Sequence, residues 1–306
     1  VEKEIIEEIY RVVDEYFTEP ELNKLIKVFV EEKNVERSTW SSITRSVHGM
    51  LGGDSPAIHR AAALTEVVML ALDMIDDLQD QDNWSKPWMS CPQAYTLNGI
   101  LGFLITFMGE LSTFNTGDSS QPALPAKEIS RLLARAVHGQ QLDINGSIQT
   151  EQDYILMVQQ KSGSLIQLAC YMGYALIEHL DQEQIDRLNE LSYCIGIIAQ
   201  IGNDVNDLQR YDVKNDLLQK KRTLPILFLL EDSPKEFPIL TEYYEGRVSK
   251  EDFLLKKLDC LAYVKASGCL EYSQIIQALY KERAEKLLET IPDSLWKDQF
   301  VAVTIG

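Results

Sequence analysis

Asp73, Asp76, Asp77, Asp80 and Asp82 place five carboxylates within ten residues, at the end of an apolar run from Ala61 to Ala71. The run reads as a buried helix, and on a helix residues three and four apart share a face. Asp73 then lies near Asp76 and Asp77, and those two lie near Asp80. Carboxylates that close repel one another unless they are protonated or a positive charge sits among them. Mg2+ suits the second case, since it is a hard cation held by a few carboxylates together with substrate phosphates. A solvated acidic helix end is the other meaning of such a run. More than a hundred residues on, Asn203, Asp204 and Asp207 end a second apolar helix at the same spacing. Two matched clusters favour a divalent-metal site over surface decoration.

The elements that must position these groups are helices. Ile5, Ile6, Ile9, Val12, Val13, Tyr16 and Phe17 recur at helical spacing, Glu19-Pro20 breaks that pattern, and Leu22 to Val30 resume it. A third helix stops at the glycine-rich stretch Gly49 to Gly53. Ser55-Pro56 predicts a cap and first-turn proline for a helix running to about Asp80. Gln93 to Phe114 is nearly apolar throughout and is expected to be central. Glu128 to Asp143, Thr150 to Ile177 and Asp181 to the second cluster follow as helices. Pro225 to Leu230 predicts a short buried helix, 233–247 an irregular stretch, and Ser249–Val264 and Leu270–Thr290 two closing helices. Loops are expected at 83–92 and 115–125, and no strand pattern appears. The whole of residues 1–306 reads as one all-α domain.

Composition narrows the function. Hydrophobic residues make up 45% of 306, enough for a sizeable core, and a net charge of −18 argues against nucleic acid or an anionic membrane as main partner. Cys91, Cys170, Cys194, Cys260 and Cys269 are odd in number and form no C-x-x-C, as expected of reduced thiols in a cytoplasmic protein. The first residues are charged and amphipathic, unlike a signal peptide, and the missing initiator Met is expected of processing or trimming. The longest apolar run, Ile100 to Met108, is too short to span a bilayer. His48, His59, His138 and His179 lack metal-ligand spacing and are expected to be structural. Trp84 and Trp88 follow the first cluster, where they either cover a site or pack a loop.

Over about residues 40 to 230 the chain resembles the trans-isoprenyl diphosphate synthases. The resemblance rests on D-D-x-x-D at Asp76–Asp80 and on Asn203-Asp204-Val205-Asn206-Asp207, with its G-x-x-x-Q lead-in from Gly196 to Gln200. It rests also on G-Q-x-x-D at Gly139–Asp143, on Lys161-Ser162, and on Asp216 to Pro225, where Lys220 replaces a glycine. It implies an isoprenoid-synthase-type helical bundle, with the clusters facing across a deep apolar cavity. It further implies that Asp76, Asp77, Asp80, Asp204 and Asp207 hold Mg2+, with Asn203 a weaker neutral ligand. Lys161, Lys221 and Arg222 would grip an allylic diphosphate, and Gln200 would either join them or be a satisfied core amide. Val68, Ala71 and Leu72 stand where the family sets prenyl length. Phe103 and Phe107 are either a far tunnel wall or core.

The departures carry as much information. The G-G-K-R that holds isopentenyl diphosphate is read at Gly52-Gly53-Asp54-Ser55, the histidine seven residues before the first motif is Met69, and 83–87 holds no arginine. A second diphosphate would lack paired cations beside an acidic cluster. This pattern is similar to the ComQ-type branch of bacterial quorum sensing, whose members modify a pheromone. It is carried by Asp73–Asn83 and Asn215–Pro225. That resemblance implies transfer of a geranyl or farnesyl group from its diphosphate to a tryptophan of a precursor peptide pheromone, in an enzyme that often dimerises. Asp73 is then a candidate proton acceptor or a partner of the ligands. The alternatives are a chain-elongating synthase with an atypical acceptor site and a non-catalytic subunit of a heteromeric synthase. A terpene cyclase fits less well, because its second metal motif is wider.

Overall fold

In the computed structural model, which describes residues 1–114, 124–209 and 216–306, the apolar stripes become helices, with no strand among the described residues. They are α1 (Lys3–Tyr16), α2 (Pro20–Val35), α3 (Trp40–Met50), α4 (Ile58–Asp80), α5 (Pro87–Ser90), α6 (Gln93–Thr113), α7 (Ala126–Ile144) and α8 (Glu151–Val158). A π-turn at Gln159–Gly163 leads into α9 (Ser164–Tyr174) and α10 (Gln182–Gln209). The remainder are α11 (Leu224–Glu236), α12 (Pro238–Tyr244), α13 (Lys250–Leu254), α14 (Lys257–Ser267), α15 (Cys269–Leu288) and α16 (Leu295–Thr304). The all-α expectation holds. The chain sorts into two compact units, one of 1–133, 167–189 and 289–306, the other of 134–166 and 190–288.

In the first unit α4 is the central rod. Every residue from Ala61 to Ala71 is buried, because α1, α3 and α6 pack round it. Helix α6 offers a glycine face to the α1–α2 hairpin. A Cβ on Gly99 would meet Phe29 at 2.9 Å, and one on Gly109 the Tyr16 hydroxyl at 2.4 Å. By length and composition α6 could cross a membrane, unlike the shorter run read from sequence, but half of its apolar window is buried in the unit. Its Glu110 is buried and ion-paired to Arg60 at 2.6 Å.

Glu66 is the other buried acid of α4. It accepts hydrogen bonds from the Ser38 hydroxyl at 2.5 Å and from the Ser41 N–H at 2.7 Å. It thereby caps α3, whose own N-cap Thr39 makes no side-chain bond. Glu66→Ala is expected to cost about 2 kcal/mol, a lost cap plus an unsatisfied buried N–H, seen as a lower urea midpoint at unchanged slope. His48 is structural, as its spacing suggested: Nδ1 donates to the Gly173 carbonyl at 2.9 Å and Nε2 accepts from Ser55 N–H at 3.1 Å.

In the second unit two apolar clusters hold α8 and α10 to α11–α15. One gathers Tyr154, Ile197, Ile201 and Leu224, and the other Leu217, Leu229, Tyr243 and Phe253. Tyr243 stacks on Phe253 at 4.4 Å.

Several expectations shift. Helix α4 begins at Ile58, not at Ser55-Pro56, and Ser55 instead accepts from the Ala57 N–H at 3.3 Å. The expected loop at 83–92 contains α5, with proline at its first turn. Helix α11 runs on through Pro234 to Glu236, and the stretch read as irregular holds α12. The first closing helix is broken into α13 and α14. Helix α16 was missed; Ser294 caps it, and Trp296 packs so tightly on α3 that a Cβ on Gly49 would lie 2.4 Å from its ring. Most of the expected 115–125 loop, and Asn215 of the second matching stretch, lie outside the described residues.

Candidate active site

The first cluster sits on the last turn of α4, which stops because Gln81 adopts a left-handed conformation at φ 51°. Asp76 and Asp80 are half-buried there, and Asp77 is buried. Asp77 accepts from Asn83 Nδ2 at 2.5 Å on one oxygen and from Trp88 Nε1 at 2.7 Å on the other. Burial pushes its carboxyl up to about 6, against those two bonds and with Asp82 adding to the rise. Asp73 is ion-paired to Lys33 Nζ of α2 at 2.7 Å. Lys33 also meets Glu36 at 2.9 Å, and Lys86 meets Glu32 at 3.0 Å and Glu36. The end of α4 is therefore tied to α2 and α5 by an ion network with Trp88 inside it, its indole 5.9 and 5.8 Å from the Lys33 and Lys86 ammonium groups.

The second unit builds its cluster on α10. Asp204 is buried and accepts from the Tyr154 hydroxyl at 2.5 Å and from Gln200 Nε2 at 2.9 Å. Gln200 in turn accepts from the Ser162 hydroxyl at 2.9 Å, so its amide is used at both ends. Burial raises Asp204 to about 6, against those bonds. Asp207 accepts the backbone N–H of Asp216 at 2.7 Å. Burial lifts Asp216 itself to about 7, opposed by Lys221 and helped by Asp207, Asp204 and Asp143. Asn203 is exposed on the same helix end.

The basic residues of this unit stand on two fixed turns. Lys161 lies in the π-turn and is ion-paired to Asp143 of α7 at 2.9 Å. π-turns inside helices recur at functional sites, because the extra residue redirects a side chain. Glycines let the helices meet there: a Cβ on Gly139 would lie 2.2 Å from the Lys161 nitrogen, and one on Gly196 would lie 2.6 Å from Gly163. Lys221 follows a turn whose residue Lys220 has φ 59°, the left-handed region that explains glycine at this place in the resembling motif. Lys220 offsets the strain with its ammonium 4.5 Å over the Tyr243 ring. Tyr244 holds the Lys221 carbonyl at 2.9 Å, Lys221 Nζ lies 3.9 Å from Asp216, and Arg222 donates to Gln149 at 3.1 Å.

The tunnel candidates Val68, Ala71, Phe103 and Phe107 are buried in the first unit and Leu72 is half-buried. None of them lines a 500 Å3 pocket of that unit, which lies among Gly52–Ala57, Arg60, Thr113, Phe114 and Leu176–His179. That cavity is at the N-terminal end of α4, roughly 24 Å of helix rise from Asp76. The same length corrects the acceptor argument. Gly52–Ser55 joins α3 to α4 at the end remote from the aspartates, so the missing cations there say nothing about a diphosphate beside the cluster.

Sequence reasoning missed Tyr154 and Lys33, matched Asp143 and Asp216 to motifs without giving them a role, and left Trp88 open between loop packing and a site role. Tyr154 had a faint signal, standing seven residues before Lys161 on one helical face, whereas nothing local pairs Trp88 with Asp77. Both acidic ends have the chemistry a hard divalent cation needs: crowded oxygen donors whose burial and mutual repulsion hold their pKa values high. Among the described residues no three acidic, histidine or cysteine side chains by themselves enclose an ion.

The family model for polyprenyl synthetase matches residues 37–260. The chain belongs to the polyprenyl synthetase family. Its members are prenyl-transferring enzymes. The tryptophan prenyltransferase ComQ of Bacillus subtilis strain 168 is 27% identical over 288 residues, covering 92% of this chain and 90% of that one. Among solved structures, a geranylgeranyl pyrophosphate synthase from Lactobacillus brevis superposes with a TM-score of 0.80 at 18% identity, covering 99% and 95% of the two chains. A polyprenyl synthase from Caulobacter crescentus, complexed with calcium and isoprenyl diphosphate, gives 0.74 at 18% identity over 96% and 94%. These likenesses establish the isoprenoid-synthase fold.

Proposed function

We propose that this enzyme moves a geranyl or farnesyl group from its diphosphate to a tryptophan of a precursor peptide pheromone. The observation that carries the reading is the similarity to a tryptophan prenyltransferase along nine-tenths of both chains. Asp76, Asp77 and Asp80 of α4 and Asn203, Asp204 and Asp207 of α10 are the residues that would hold Mg2+. When bound, the cation neutralises the diphosphate and favours its departure. Lys161 and Lys221 add positive charge to the same leaving group, with Arg222 and Gln200 beside them. Their present partners, Asp143, Asp216 and Asp204, hold them in place until an anion arrives.

The allylic carbon–oxygen bond breaks and its electron pair leaves with the diphosphate. The indole C3 of the acceptor supplies the pair for the new carbon–carbon bond. The peptide nitrogen closes a ring on the indole, and the proton it loses passes to diphosphate, water or a carboxylate. Asp73 is a candidate carboxylate, although its charge is engaged by Lys33. Val68, Ala71 and Leu72, with Phe103 and Phe107, are the residues that would meet the prenyl tail.

The proposal extends to a homodimer in the cytoplasm. Helix α6 turns Leu97, Leu101, Ile105 and Met108 outward, 48, 55, 60 and 70% exposed, as one apolar stripe. A stripe of that kind on a soluble chain marks an interaction surface. Light scattering reads the mass.

A chain-elongating synthase is the second reading. It is favoured by the remoteness of Gly52–Ser55 from the aspartates, which removes one argument against a second diphosphate. One experiment separates the two. The protein, Mg2+ and geranyl or farnesyl diphosphate are incubated with either a tryptophan-containing precursor peptide or isopentenyl diphosphate, and the products are weighed by mass spectrometry. A prenyl increment on the peptide, lost when its tryptophan is replaced, is the expected result. A lengthened prenyl diphosphate would overturn it.

A further inference from the structure

Asp77 and Asp204 occupy the same place in their motifs, the second of five residues, and each has both oxygens taken in the same way. On Asp77 one oxygen accepts from the Trp88 indole N–H at 2.7 Å and the other from the Asn83 amide at 2.5 Å. On Asp204 one accepts from the Tyr154 hydroxyl at 2.5 Å and the other from the Gln200 amide at 2.9 Å. In both cases an aromatic donor comes from deep in the core, Trp88 being 1% and Tyr154 0% exposed. Water cannot replace donors at that depth. Both rings are enclosed by the core. Trp88 meets the Phe29 ring edge-on at 6.0 Å, and Tyr154 sits one turn inside a helix capped by the Thr150–Asp153 box. The other members of each motif, Asp76 and Asp80, or Asn203 and Asp207, are more open to solvent.

We infer that Trp88 and Tyr154 are positioning residues, each clamping the buried carboxylate at the second place of its motif so that the neighbouring oxygens keep their direction towards the cation. Adjacent residues of a helix share one backbone turn, so pinning Asp77 fixes the rotation of Asp76 and of Asp80 one turn on. The inference rests on the reading that the two motifs hold a divalent cation. Partners that orient metal ligands are worth about 10- to 100-fold in metal affinity when removed.

The test uses the full chain and does not depend on turnover. Mg2+ is titrated calorimetrically in the presence of inorganic diphosphate, and the thermal midpoint is recorded without metal. Trp88→Phe and Tyr154→Phe each delete one donor while keeping an aromatic ring in the core. Phe29→Leu disturbs the packing against Trp88 without touching the indole N–H. The two donor variants are expected to weaken Mg2+ binding about tenfold or more, whereas Phe29→Leu lowers the thermal midpoint and leaves the affinity within about twofold of the original chain. Unchanged affinity in both donor variants, or an equal loss in Phe29→Leu, would overturn the inference and leave the metal reading standing. Absence of Mg2+ binding in the unsubstituted chain would overturn both. Should Trp88→Phe not fold, Asn83→Ala removes the other donor to Asp77 from the surface side and is read against the same criteria.

Discussion

Asp76→Ala is expected to lower prenyl transfer by about a thousandfold or more while leaving the fold in place. A bound cation contributes several kcal/mol to stabilising charge on a departing group, and each 1.36 kcal/mol is about tenfold in rate. Asp76 is the member of its cluster best suited to show this alone. It is half-buried and stands among other acids, so its removal relieves repulsion. Asp77→Ala would instead strand the Trp88 indole and the Asn83 amide and mix a stability loss into the result. The measurements are product mass per unit time and a thermal melt. Chelation of divalent metal is expected to reproduce the loss in the unsubstituted enzyme, and Mg2+ to restore it there but not in Asp76→Ala. Activity within about tenfold of the original would remove Asp76 from the metal site.

Gly139→Ala carries the largest expected effect on stability, a loss of about 3 kcal/mol, at the upper end of what overpacking costs. The added methyl would lie 2.2 Å from the Lys161 nitrogen and 2.7 Å from the Gln160 carbonyl carbon and the Lys161 Cα. These are backbone atoms, so no side chain can swing aside, and α7 must move off the π-turn as a body. The thermal midpoint is expected to fall by roughly 5–10 °C. Activity is expected to fall further than stability explains, because the same shift pulls Lys161 from its place beside Asp143. Val137→Ala, on the exposed face of the same helix, is the control and is expected to change neither. A Gly139→Ala protein with unaltered melt and turnover would mean that the helices are less closely held than 2.2 Å implies.

The acidic ends of α4 and α10 were legible because their chemistry is local: apolar residues at helical period, then carboxylates one turn apart. The helix start at Thr150 was legible for the same reason, and Thr150 closes a full capping box, whereas Glu19, read as part of a break, caps α2. Glycines at 139 and 196 could be matched to motifs but not explained. Their meaning is a distance to another helix, and no periodicity carries that. Helix α16 was invisible because it buries little more than Phe300 and is fastened by Trp296 against a glycine of α3. Gly52–Ser55 was misplaced for a related reason: it was matched to a motif along the chain, while it precedes the first turn of α4 and the aspartates end that 23-residue helix.

What the sequence by itself determined is the helical class and the two oxygen-rich helix ends, for which side-chain type and a period of 3.6 are sufficient. The basic residues Lys161, Lys221 and Arg222 were singled out by motif resemblance alone. What only the tertiary structure decided is how those residues are held. Trp88 lies eleven residues beyond Asp77 and Tyr154 fifty before Asp204, yet each completes a buried carboxylate. Such pairings depend on which helices pack together, and a buried polar group must find its donor wherever packing places one.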